Sequence, residues 1–105
     1  MISEKTILNI VYRIAINVNP DKIFLFGSYA SGQANEDSDV DLLIIKETSE
    51  PKFKRSIEIQ RLLIGSKLPV DIVVYTKDEF EKEKGKRFSF VSSAIQGAKL
   101  MYERK

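Results

Sequence analysis

The chain has 105 residues, 43% hydrophobic and 30% charged, with a net charge of +2. That length holds one domain (1–105) and one core without room for a separate substrate domain, and so small a positive excess does not argue for direct nucleic-acid binding. The absence of cysteine and histidine excludes disulfides, thiolate zinc sites, a Ser-His-Asp triad and imidazole proton transfer.

In chain order, Ser3 is placed to cap a helix over about Glu4 to Asn17. Ile7, Val11, Ile14 and Val18, flanked by Leu8 and Ala15, make its core-facing stripe. Asn19-Pro20-Asp21 breaks it. Lys22 to Phe26 reads as a strand that is apolar on both sides, which suits a central place in a sheet. It ends in Gly27-Ser28, where a glycine allows a tight turn and close approach to a ligand. A helix starting at Ser28 would aim free N–H groups at an anion.

Val40 to Lys46 is the second strand, opened by Asp39 and Asp41. Residues two apart on a strand share a face, roughly 7 Å apart, so the two carboxylates can converge. Carboxylates at a strand start cost burial that valine or isoleucine would gain, and such placements mark function. After the polar stretch from Glu47, a helix is expected over about Pro51 to Ile64, with proline in its first turn and Gly65-Ser66 closing it. Phe53, Ile57, Ile59, Leu62, Leu63 and Ile64 are its apolar content.

The third strand, Pro69 to Tyr75, again places an aspartate, Asp71, at its start. Both parallel and antiparallel pairing with the second strand stay open. Thr76-Lys77-Asp78-Glu79 is a capping box for a helix whose charged run to Arg87 reads as a solvated face. A bend is expected near Gly85, then a buried stripe of Phe88, Val91, Ala94 and Ile95 to about Gln96. Ala98 to Tyr102 reads as a short edge strand. No apolar run is long enough for a membrane span, and Met1-Ile2-Ser3-Glu4 has no signal-peptide design, so the cytoplasm is the expected location.

Gly27-Ser28, ten residues, then Asp39-x-Asp41 with Ser38 just before, resembles the signature of the DNA polymerase β-like nucleotidyltransferases. More narrowly, GSYASGQANEDSDVDLLII resembles the minimal nucleotidyltransferase (MNT) domains, the antitoxin halves of HEPN/MNT toxin–antitoxin pairs, and the likeness reaches the Gly97-x-x-Leu100-x-Tyr102 ending. The resemblance implies an α/β (α+β) fold, a small mixed sheet of about four strands with helices mainly on one face. It implies a third carboxylate, Asp71, beside Asp39 and Asp41, the three being catalytic and metal-binding. Gly27, Ser28 and Ser38 would bind the nucleotide. With oxygen as the only donor type, the metal expected is Mg²⁺, as two ions, or Mn²⁺.

The activity implied is transfer of AMP from ATP to a protein hydroxyl, a tyrosine of a HEPN-type ribonuclease toxin, with the chain as antitoxin in a homodimer or a hetero-oligomer with the toxin. The alternative is a non-catalytic antitoxin that neutralises its partner by complex formation, with a vestigial nucleotide site. One departure bears on this: related domains commonly carry arginine where this chain has Ser31. Its loss removes a bidentate phosphate contact, leaving either weaker nucleotide binding or compensation by another cation such as Lys46.

Overall fold

Val40–Ile45 (β2) is the strand around which the others assemble, because Leu42, Leu43 and Ile44 are fully buried on opposite faces. Burying each such side chain is worth about 1.5–3 kcal/mol, which commits both faces of the sheet to cover. The computed structural model describes residues 1–105. Its other strands are β1 (Lys22–Phe26), β3 (Val70–Tyr75) and β4 (Lys99–Glu103), in the order β3-β2-β1-β4. β1 runs antiparallel to β2 and β4, and β2 pairs parallel with β3, which makes the sheet mixed.

The two longest helices, α1 (Glu4–Val18) and α3 (Lys52–Leu63), supply Val11, Ile14, Ile59 and Leu63 to a core with Ile23, Leu25, Leu42 and Ile44. Ser3 caps α1, accepting from the Thr6 N–H at 3.1 Å, and Asn19 ends it in the left-handed region at φ 51°. α3 continues as a 3₁₀ turn, Ile64–Ser66. Between β1 and β2 lies a single helical turn, α2 (Ser28–Ser31).

The opposite face is covered by two short helices, α4 (Lys77–Lys84) and α5 (Phe90–Ala94). Phe80 and Val91 pack there on Leu43 and Ile45. The expected bend near Gly85 is a full interruption, and Phe88, expected in the buried stripe, is 91% exposed. Phe53, Ile57 and Ile64 of the α3 region are also exposed. Helical spacing locates an apolar residue on a helix without saying which of two flanks reaches the core. No helix is long and apolar enough to cross a membrane.

Arg55 joins the two helix layers around β3. Its guanidinium, 8% exposed, pairs bidentately with Glu79 at 2.6 and 3.1 Å and donates to the Val74 carbonyl at 3.3 Å. Gln60 donates to the Val70 carbonyl at 3.4 Å. Together they occupy outward carbonyls of an edge strand that would otherwise template aggregation. Glu79 also completes the Thr76 capping box. Hydrogen bonds from Arg55, then from the Thr76 N–H, lower its pKa from 4.5 to about 2 against the opposing effect of burial.

A depressed carboxylate pKa contributes stability above its unfolded value, near 4.5, and loses it as pH falls through about 2. Arg55→Ala should therefore cost about 2–3 kcal/mol at pH 7, a little less than breaking a fully buried pair because Glu79 keeps some water contact. The deficit should shrink as pH falls from 4.5 through about 2, down to the pH-independent part from the lost bond to the Val74 carbonyl. Urea denaturation across that range measures it, and a deficit independent of pH would refute the assignment.

Candidate active site

The site begins where β1 stops. Gly27 has φ 73° and ψ −154°, a region essentially closed to side-chain-bearing residues. A Cβ there would lie 3.2 Å from Asp41 Cγ and would overlap its Oδ2. Glycine is thus required twice, for the turn and for the close passage of β1 by the carboxylate. The Ala30 and Ser31 N–H groups both donate to the Gly27 carbonyl at 3.1 Å, and Gly32, at φ 81°, closes the turn onto the Ser28 carbonyl. The Ser28 and Tyr29 N–H groups stand at the open end of that turn. Tyr29 is anchored from the other side, its hydroxyl accepting from the Ile2 N–H at 3.0 Å.

Between α2 and β2 the chain is held by Asn35 and Ser38. Asn35 Oδ1 accepts from the Asp37 N–H at 2.8 Å, and Ser38 Oγ accepts from the Asn35 N–H at 2.9 Å. The Ser38 hydroxyl thus closes the loop that delivers Asp39 to the start of β2. Asp41 pairs in register with Phe26 on one side and Asp71 on the other. The three form a row across β1, β2 and β3, with Asp39 just ahead of Asp41.

Parallel, in-register pairing brings Asp41 and Asp71 side by side and decides the alternative the sequence left open. Partial burial raises the Asp41 pKa, and the charges of Asp71 and Asp39 add to it. Asp71 is raised by burial and then by Asp39. None of the three takes part in any ion pair of the chain. Crowded carboxylates without a cation are the donor set that a hard divalent ion neutralises. No three His, Cys, Asp or Glu side chains form a ready-made metal cage. Asp39 and Asp71 are exposed and Asp41 half-buried, and all three offer the oxygen donors that a hard divalent ion takes. The residues fit Mg²⁺.

Two details depart from expectation. Lys46 lies five residues beyond Asp41, at the far end of β2, where its N–H bonds the Tyr75 carbonyl at 3.0 Å. At roughly 3.3 Å per residue it is about 17 Å from the carboxylates and does not replace the arginine absent at Ser31. Ser31 itself donates to the Ser28 carbonyl at 3.2 Å. The sequence reading also missed Phe26, although alternation along β1 puts Phe24 and Phe26 on the face that carries Asp41.

The fold and this arrangement define a class, confirmed by a family model: residues 5–96 match the nucleotidyltransferase domain. The chain belongs to that family. It is 30% identical over 82 residues, covering 77% of both chains, to "Putative protein adenylyltransferase MJ0604" of Methanocaldococcus jannaschii. A second protein of that organism, "Putative protein adenylyltransferase MJ0141", is 39% identical over 54 residues, and the chain spans 54% of its length.

Among solved structures, a "putative nucleotidyltransferase" of Sulfolobus solfataricus superposes with a TM-score of 0.67 at 21% identity, covering 95% of this chain and 79% of that one. A chain of a toxin–antitoxin complex with AMP-PNP gives 0.59 at 20% identity, covering 93% and 74%. A chain of a mutant of the toxin–antitoxin pair MntA–HpeT gives 0.62 at 18%, covering 92% and 73%. At those identities the three structures establish the shared fold.

Gly27→Ala should lower stability by about 1–3 kcal/mol through backbone strain and overlap with Asp41. In an Asp41→Ala background the same change should cost less, because the overlap is gone and only the strain remains. Equal costs in a thermal-denaturation cycle would show that Asp41 does not crowd Gly27.

Proposed function

We propose that the chain transfers AMP from Mg·ATP to a protein hydroxyl, the tyrosine of a HEPN-type ribonuclease toxin, and acts in the cytoplasm as the antitoxin of that pair. The observation that carries this reading is the row of Asp41 and Asp71 beside Asp39, facing a turn that only glycine can make. The names of the methanococcal proteins support adenylyl transfer, and the toxin–antitoxin structures support a toxin partner.

In this reading Gly27 and Ser28 hold the β- and γ-phosphates through backbone N–H and hydroxyl donors, and Ser38 holds the loop beside them. Asp39, Asp41 and Asp71 would hold the Mg²⁺ ions, which when bound would neutralise the triphosphate and assist ionisation of the acceptor hydroxyl. Asp71, on the outermost strand of the row, takes the acceptor's proton, a role its raised pKa favours. The acceptor oxygen bonds to the α-phosphorus, the bond from that phosphorus to the β-phosphate bridge breaks, and pyrophosphate leaves. The protein supplies position and charge, as phosphoryl chemistry requires.

The non-catalytic reading is favoured by one observation, the lack of any guanidinium at Ser31 with Lys46 far away. Mass spectrometry of the partner after incubation with ATP and Mg²⁺ separates the two. An adenylylated partner is the expected outcome, and a partner bound and silenced without modification would overturn the enzyme. Asp71→Asn should keep most of the ATP affinity while transfer falls by about 10²–10⁴. Asp39→Asn/Asp41→Asn should abolish metal-dependent ATP binding in calorimetry, and undiminished binding would remove the site.

A further inference from the structure

The turn α2 carries the N–H groups that the reading above aims at the triphosphate, yet none of its residues is fully buried. Glycines at positive φ bound it, Gly27 at 73° and Gly32 at 81°. The bonds that shape it close within it. The Ala30 and Ser31 N–H groups reach the Gly27 carbonyl, and the Ser28 carbonyl accepts from the Gly32 and Gln33 N–H groups and the Ser31 hydroxyl. A piece of chain stiff inside and bounded by glycines holds one orientation only if something outside ties it down.

Tyr29 supplies that tie. Its hydroxyl accepts from the Ile2 N–H at 3.0 Å, a bond that spans 27 positions and leaves the turn altogether. Its ring and the Ala30 methyl pack on the main core. The ring also lines a cavity of about 180 Å³ with Ile2, Ile7, Leu25 and Met101. Packing beside unfilled space constrains a ring less than a close-packed surround does, which leaves its direction to the hydrogen bond. The Tyr29 N–H stands next to that of Ser28 at the open end of the turn. One residue thus carries an outward donor on its main chain and the anchor on its side chain.

We propose that Tyr29 is a positioning residue for the nucleotide. Its bond to the Ile2 N–H sets the direction in which the Ser28 and Tyr29 N–H groups meet the β- and γ-phosphates, which rests on the reading given above. Tyr29 touches no reacting atom. It acts through the turn, and the residues ahead of α1 act through Tyr29. With serine at position 31, no guanidinium there can follow the phosphates as the turn moves, so the direction of these N–H groups decides more of the affinity.

Calorimetry of Mg·ATP with the whole protein tests this. Tyr29→Phe keeps the ring and loses the acceptor, whereas Ile2→Pro keeps Tyr29 and loses the donor. Each should weaken ATP binding about three- to tenfold, the range spanned by one neutral hydrogen bond. Both remove the same bond, so the double variant should lose no more than the larger single loss. Arg55→Ala, which costs stability elsewhere, should leave ATP affinity unchanged. In hydrogen exchange without nucleotide, Tyr29→Phe should speed the Ala30 and Ser31 amides about three- to tenfold. Undiminished ATP binding in both single variants, additive losses in the double variant, unchanged exchange of the two amides, or an equal loss in Arg55→Ala would each overturn the role of Tyr29. A wild-type protein that binds no Mg·ATP, while Tyr29→Phe still loosens those amides, would remove the nucleotide reading and leave the anchor standing.

Discussion

The structure turns on one enforced proximity, the placement of Asp41 beside Asp71 by parallel, in-register pairing of β2 with β3. Partial burial raises the pKa of both carboxyls, and charge repulsion adds to it, from Asp71 and Asp39 at Asp41 and from Asp39 at Asp71. The sheet sustains this because the rest of the same strands is apolar and buried: Leu42, Leu43 and Ile44 are fully inaccessible, each contributing about 1.5–3 kcal/mol. The repulsion is confined to strand ends, where water screens it. An identical pair in the middle of the sheet would have no such relief.

That confinement explains the division of labour around the sheet. The α1 and α3 face is closed by aliphatic side chains and carries no functional group of the site. The other face is covered by short helices and half-buried aromatics, Phe24, Phe26, Tyr75 and Phe90. Aromatic rings can cover a sheet while staying partly exposed, which leaves surface beside Asp41 for ligands. Arg55 and Glu79 secure this thinner layer by tying α4 to α3 and β3.

Much of this was legible in the chain because the signals were local. Ser3 and the Thr76–Glu79 box mark helix starts by their own hydrogen bonds, and the run from Phe24 through Asp41 has strand spacing and turn chemistry in one stretch. What was not legible depends on partners distant in sequence. Pairing direction for β3 follows from how α3 packs, not from any residue of Val70–Tyr75. The exposure of Phe53 and Ile57 depends on which helix flank meets the sheet, and that of Phe88 on the interruption between α4 and α5. Lys46 seemed available to the phosphates only until strand direction placed it at the opposite end. The bonds between Ser38 and Asn35 that shape the loop before Asp39 likewise join residues whose pairing no spacing pattern announces.

The absence of an arginine at Ser31 then acquires a definite consequence within the proposed chemistry. With Lys46 remote and no cation paired to the three aspartates, neither position 31 nor Lys46 supplies a side-chain cation to the triphosphate. That role falls to the backbone N–H groups of the single turn after Gly27 and to the divalent ions held by Asp39, Asp41 and Asp71. A dipole from one helical turn is a weak attractor compared with a bidentate guanidinium. Nucleotide binding at such a site is bound up with metal binding, since the carboxylates repel the triphosphate until cations sit between them. In that proposal the carboxylates that would handle the reacting oxygen would also control entry of the nucleotide. This ties the close approach of Gly27 to Asp41 to both steps.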